Sequence, residues 1–184
     1  MPAYGTIALV RLSSTSAFMG IVGIVALGCS GDDGGGDEGA GEPVELAGIT
    51  AAHNQVRSAV GVAPLRWNAD LASLATGFIA DCVFAHSTQS ERSNQAGFMY
   101  IGENLFASGG FQPTGAQVSD SWASEKAMYD HGSNSCSGVC GHYTQQVWSS
   151  TTDLGCALKA CPGGMYIVSC EYGPGGNVQG QRPY

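Results

Sequence analysis

Between positions 49 and 82 the apolar residues recur with helical spacing. Over 49–60 the pattern predicts a helix with His53, Val56 and Val60 on one face, and Gly61 ends it. Pro64 biases its predecessor away from helix, so Pro64-Leu65-Arg66-Trp67 is expected to be extended. Asn68 is a good N-cap for the next segment, where Leu71, Leu74, Ala75, Phe78 and Cys82 recur at i, i+3, i+4, i+7 and i+11. A third helix is expected over 116–129, with Val118, Trp122 and Tyr129 on one stripe. At about 100° per residue, Glu125 falls on the edge of that stripe, where a carboxylate either reaches out to solvent or is aimed into a cleft. A further short helix is expected over 142–147.

The polar stretch 87–99, the turn-rich 109–115 and the Gly- and Ser-rich 130–140 read as loops. Gly155-Cys156-Ala157-Leu158 and 165–172 alternate or run apolar with β-branched residues, which predicts two strands. Pro162-Gly163-Gly164 between them is a hairpin connection. Gly- and Pro-rich coil follows Tyr172. No internal repeat is present, and the whole reads as one α+β domain.

The first 45 or so of the 184 residues do not share this patterning. A mostly apolar run from Ala17 to Leu27, about 11 residues long, follows a single basic residue, Arg11. It is too short to span a bilayer as a helix and suits a signal-peptide core. It ends in Ala26-Leu27-Gly28-Cys29, which resembles a bacterial lipobox, with Cys29 as the lipidation site. The expected organisation is therefore a leader over 1–28, a flexible acidic, Gly-rich tether over 29–45, and a domain over 46–184. The chain would then lie outside the cell or on its surface, held to a membrane only through the N-terminal lipid.

Cysteine usage agrees with export. Setting Cys29 aside from the 7 cysteines leaves six: Cys82, Cys136, Cys140, Cys156, Cys161 and Cys170. An even number beyond a signal peptide reads as three disulfides, although spacing alone leaves about fifteen pairings open. No pair forms a CxxC, and an oxidising compartment argues against thiolate ligands. From Ile49 onward the charged side chains number six basic and nine acidic, 6 − 9 = −3. No basic stripe exists to neutralise phosphates, which argues against nucleic acid, and no polybasic segment favours anionic lipid.

Specific motifs narrow the reading. Cys140-Gly141-His142-Tyr143-Thr144-Gln145 with Val147-Trp148, and Cys170-Glu171-Tyr172-Gly173-Pro174-Gly175-Gly176-Asn177, resemble the two signatures of the CAP superfamily. That superfamily comprises cysteine-rich secretory proteins, antigen-five venom proteins and the pathogenesis-related-one proteins of plants. His53-Asn54 with Arg57, Leu65 with Trp67, Cys82 through His86-Ser87, Gly102-Glu103-Asn104-Leu105, and Trp122 with Glu125 and Tyr129-Asp130 match in the family's order. The resemblance spans about 49–184 and is nearest to the plant branch, through Ser133-Asn134-Ser135-Cys136 and the ending Gly180-Gln181-Arg182-Pro183-Tyr184.

The resemblance implies a three-layer α–β–α sandwich with a small central antiparallel sheet. It also implies disulfides Cys82–Cys161, Cys136–Cys140 and Cys156–Cys170. A cleft would be lined by His86, Glu103, Glu125 and His142. Two neutral imidazoles there can ligate zinc or another divalent cation, with Glu103 and Glu125 as further ligands or as outer partners of the imidazoles. Asn104 and Gln145 adjoin the cleft residues as supporting partners. The competing reading is a polar cluster that only fixes the fold.

The family's known ligands make a sterol or other lipid, or an extracellular protein, the expected partner of a monomeric binding module. A metal-dependent hydrolase with Glu103 or Glu125 as general base is the alternative, without the HExxH spacing of a zinc protease or a GxSxG elbow. A released C-terminal peptide is a further alternative, against the expectation that the tail packs on the sheet. Ser87 is expected to be a turn or capping hydroxyl, His53 a hydrogen-bonded structural residue, and His131 an exposed loop residue. Trp67, Trp122 and Trp148 are expected in the core.

Overall fold

The computed structural model describes residues 41–184. The leader, Cys29 and most of the tether lie outside the described residues. After a single turn at Val44–Leu46 the elements run α1 (Ile49–Ser58), β1 (Arg66–Trp67), α2 (Ala69–Phe78), α3 (Gln89–Arg92), β2 (Gly102–Gly109) and α4 (Gly115–Ala123). A tighter 3-10 stretch, Ser124–Met128, continues α4. Then come β3 (Tyr129–Asp130), β4 (Ser135–Cys136), α5 (Gly141–Gln146), β5 (Asp153–Cys161) and β6 (Met165–Gly173).

The hairpin expected around Pro162-Gly163-Gly164 joins β5 to β6, and its register sets Cys156 opposite Cys170. β2 pairs antiparallel with the far side of β6. β1 runs parallel to β5, so the order is β1-β5-β6-β2 and the sheet is mixed, not wholly antiparallel as expected. The parallel pair forms because Arg66 and Asn68 donate their N–H groups to Thr152 and Leu154 before Asn68 turns to cap α2.

Alternation along the strands divides two cores. Leu154, Cys156, Val168, Cys170 and Tyr172 pack against Ile49 of α1 and Val118 and Trp122 of α4. Leu105, Ala157 and Ile167 pack on the other face with Ala75 and Ile79, from α2 and its end. The result is a three-layer α–β–α arrangement. α2 lies so close to β5 that a Cβ on Gly155 would sit 2.2 Å from the backbone nitrogen of Ala72. The three disulfides join Cys82 to Cys161, Cys136 to Cys140 and Cys156 to Cys170.

Several expectations are corrected. α1 ends at Ser58, and its buried residues are Ile49, Thr50, His53 and Arg57, with Val56 and Val60 only half-buried. α2 ends at Phe78, so Cys82 lies beyond it with a left-handed φ of 58° and is held by its disulfide. The helix expected over 116–129 stops at Ala123, and Tyr129 leaves its stripe to enter β3. The 87–99 loop contains α3, started by a capping box between Thr88 and Glu91.

Residues 42–45, expected to end a flexible tether, pack with the domain. Glu42 accepts from the backbone N–H groups of Gly48 and Thr50 at 2.6 and 2.9 Å, and Leu46 is buried. The C-terminal tail docks on α5 and the β3–β4 hairpin instead of the sheet. Ser149 N–H donates to Pro183, Asn134 to the carbonyl of Gln181, and Arg182 to the carbonyls of His131 and Gly132.

Candidate functional site

Two histidine–carboxylate pairs form from four separate segments. Glu103, near the start of β2, has a side chain only 1% exposed, while the His86 ring is 58% exposed. His86 Nδ1 lies 2.6 Å from Glu103 Oε1. The same carboxylate accepts from the Ser87 N–H at 3.1 Å and the Ser87 hydroxyl at 2.7 Å. Arg92 on α3 donates to the Ser87 carbonyl and hydroxyl and reaches Glu103 at 3.4 Å. Ser87 thus anchors the loop to Glu103, as a turn hydroxyl would, and is not paired with an imidazole.

Glu125 performs the matching task for His142. Its Oε1 is 2.6 Å from His142 Nδ1, and Oε2 accepts from the N–H groups of His142 and Tyr143 at 3.0 and 3.3 Å. The carboxylate therefore caps the open N-terminus of α5 and aims the imidazole with the same two oxygens. The switch from α4 to the tighter 3-10 stretch places Glu125 here; α-helical periodicity alone left its direction open. Trp122 stacks on the His142 ring, centroids 6.1 Å apart.

A buried hydrogen-bond chain supports the second pair. Asn104 Nδ2 donates to the His142 carbonyl at 3.0 Å and to the Tyr172 hydroxyl at 3.1 Å. Tyr172 donates to His53 Nε2 at 2.9 Å, and His53 Nδ1 donates to the Ile49 carbonyl at 2.8 Å, a tautomer assigned from these partners. Burial lowers the His53 pKa to about 4, so the ring is neutral. Burial likewise holds the Tyr172 phenol well above its ordinary value. Asn104 is thus a supporting partner through the backbone of His142. Gln145 is turned elsewhere, to Thr151 and the Gly176 N–H, where it holds the tail.

Arg92, Arg57 and Glu171 were not singled out by sequence. Arg92 had a signal in the Thr88-Gln89-Ser90-Glu91 capping box just before it. Arg57 and Glu171 lay inside quoted motifs with no role attached. Among the described residues no three His, Cys, Asp or Glu side chains converge as a metal-ligating set. The four residues expected to line a cleft stand as two pairs, with both Nδ1 atoms committed and neither Nε2 bonded to a described residue.

Residues 50–172 match the cysteine-rich secretory protein family. The chain belongs to that family. Among its relatives, the pathogenesis-related protein 1 of Arabidopsis thaliana is 42% identical over 137 residues, 72% of this chain and 78% of that protein. Pathogenesis-related protein 1B of Nicotiana tabacum is 43% identical over 139 residues, 72% and 77% of the two chains. The family's fold is present too. The structure of the Schistosoma mansoni venom allergen-like protein 4 superposes with a TM-score of 0.65 at 28% identity, covering 77% of this chain and 94% of that one. That of NaASP2 with Zn2+ superposes with a TM-score of 0.61 at 28% identity, covering 74% and 82%.

Proposed function

We propose that this chain is an extracellular binding domain that holds a divalent cation, zinc or a similar ion, through the Nε2 atoms of His86 and His142. The observation that carries the reading is the pair of 2.6 Å contacts from each Nδ1 to a carboxylate. A carboxylate on Nδ1 fixes the tautomer and ring direction of an imidazole and raises the basicity of its other nitrogen. The donor set suits two imidazole ligands with water completing the shell, not a four-ligand protein cage. Such a site holds an exchangeable ion. The 28%-identical NaASP2, solved with Zn2+, lends the reading further support.

Binding is favoured over hydrolysis by the same contacts. Glu103 and Glu125, the two candidate general bases, already accept from imidazole, backbone and hydroxyl donors. Both oxygens of each carboxylate are thus engaged in holding the His86 loop and the start of α5. Export through the 1–28 leader, with attachment at Cys29, belongs to the same proposal. A Cys29→Ser variant should leave the membrane fraction; retention there would rule the anchor out.

The test is titration calorimetry of zinc into the purified, oxidised, metal-free protein near neutral pH. The wild type should bind, and the His86→Ala, His142→Ala double variant should not. Wild-type binding that survives in the double variant, or no binding at all, would overturn the proposal.

A further inference from the structure

Directly after β6 the chain crosses α5 and touches it at three points. Asn177 donates through Nδ2 to the Gly141 carbonyl at 2.8 Å and accepts on Oδ1 from the Thr144 hydroxyl at 2.7 Å. The Gly176 N–H donates to Gln145 Oε1 at 2.8 Å. Ser149, just past the helix, donates its N–H to the Pro183 carbonyl at 2.7 Å. Both ends of this run are pinned to other elements. The Gly175 N–H donates to the Tyr100 carbonyl ahead of β2, and Arg182 donates to the carbonyls of His131 and Gly132 in the β3–β4 hairpin. α5 thus lies under a strap fixed on either side of it.

Glycine allows the close approach. A Cβ on Gly176 would lie 2.5 Å from Cγ of Trp148, and one on Gly175 would lie 2.5 Å from the Gly102 nitrogen. One on Gly102 would run into Oε1 of Gln145. Gly102 immediately precedes Glu103, and Gly141 immediately precedes His142. The strap therefore meets the backbone beside each histidine–carboxylate pair. A helix of six residues does not hold its shape alone, so the direction of His142 depends on what clamps its turn. Glu125 takes the His142 N–H, Asn104 takes its carbonyl, and Asn177 takes the Gly141 carbonyl and the Thr144 hydroxyl on either side.

We propose that Gly175-Gly176-Asn177 is a strap that fixes the two pairs relative to each other, and that Asn177 is the positioning residue that holds His142 in it. The strap deepens the metal-site reading, on which its purpose rests: two imidazoles share one ion only when a supporting shell holds them at a set separation. Its own geometry needs no metal.

Asn177 is exposed and has a left-handed φ of 56°. Asn177→Gly therefore removes the clamp without emptying the core or straining the backbone. In 15N NMR of the metal-free, oxidised full chain at neutral pH, this variant should move the imidazole resonances of His142 and leave those of His86 in place. Thr144→Val withdraws the hydroxyl from the other side of the contact and should move the same ring, which keeps the test open if Asn177→Gly does not fold. Zinc affinity should fall about 10-fold in either variant. A His142 ring that stays in place, two rings that move together, or wild-type zinc affinity with a moved His142 ring would overturn the proposal. A wild type that gives no heat with zinc, while the variant still moves His142 alone, would overturn the metal reading and leave the strap standing.

Discussion

His53 and Arg57 stand one turn apart on α1, and both are fully buried in different states. His53 is neutral between the Ile49 carbonyl and the Tyr172 hydroxyl, with its pKa near 4. Arg57 keeps its charge, although burial lowers its pKa to about 10, because its nitrogens donate to the carbonyls of Ala63, Gln146, Trp148 and Thr151. Between about pH 6.5 and pH 4 the unfolded chain protonates His53 and the native chain does not. Stability held above that window is thus lost as pH falls through it, by up to about 3 kcal/mol. Urea midpoints measured from pH 7 to 4 should fall less steeply in His53→Gln than in wild type. Parallel slopes in the two proteins would contradict the assignment of His53 as a buried neutral ring. The structural role of His53 was legible from its place on a helical face. Arg57 was not, because a periodicity of apolar residues cannot see a guanidinium whose partners are backbone carbonyls some 90 residues away.

Elements differ in how much local sequence determines them. β5 and β6 were legible because Pro162-Gly163-Gly164 sits between two apolar runs, and α2 because Asn68 caps a clear stripe. β2 was not, since Gly102-Glu103-Asn104-Leu105 carries polar groups on both faces and gains its strand from pairing with β6. α5 is six residues long, too short to be stable by itself, and Glu125 supplies its N-terminal acceptor. The direction of Glu125 was illegible because α4 tightens into a 3-10 stretch one residue before it. Glu125→Ala removes both the cap and the support for His142. It should cost about 1–2 kcal/mol in thermal or urea unfolding and weaken zinc binding about 10–100-fold. A variant that loses stability but keeps wild-type zinc affinity would show that Glu125 caps the helix without aiming the imidazole.

At the scale of the molecule, the Cys82–Cys161 disulfide ties the segment after α2 to the end of β5, while Cys156–Cys170 staples two strands already paired. The number of disulfides was legible from an even cysteine count, but their pairing was not, because Cys82 and Cys161 are separated by 79 residues. Only family resemblance supplied it. The candidate site residues came from the same source: His86, Glu103, Glu125 and His142 are spread over four elements or loops, with no local spacing to mark them. Loop length sets an order of disulfide contributions, since closing a longer loop removes more entropy from the unfolded chain. Replacing Cys82 and Cys161 by Ala should cost about 4 kcal/mol, against about 2 kcal/mol for Cys136 and Cys140, which are four residues apart. Denaturant midpoints of the two double variants should fall in that order; the reverse order would mean that the β4–α5 loop, and not the Cys82–Cys161 link, dominates.

The most direct measurement of the central claim is the imidazole 15N spectrum of the oxidised protein during zinc titration. The account predicts that zinc shifts Nε2 of His86 and His142, leaves both Nδ1 protons in place, and does not disturb the buried ring of His53. Zinc that displaces an Nδ1 proton, or that moves His53 or His131 while His86 and His142 stay unchanged, would contradict it.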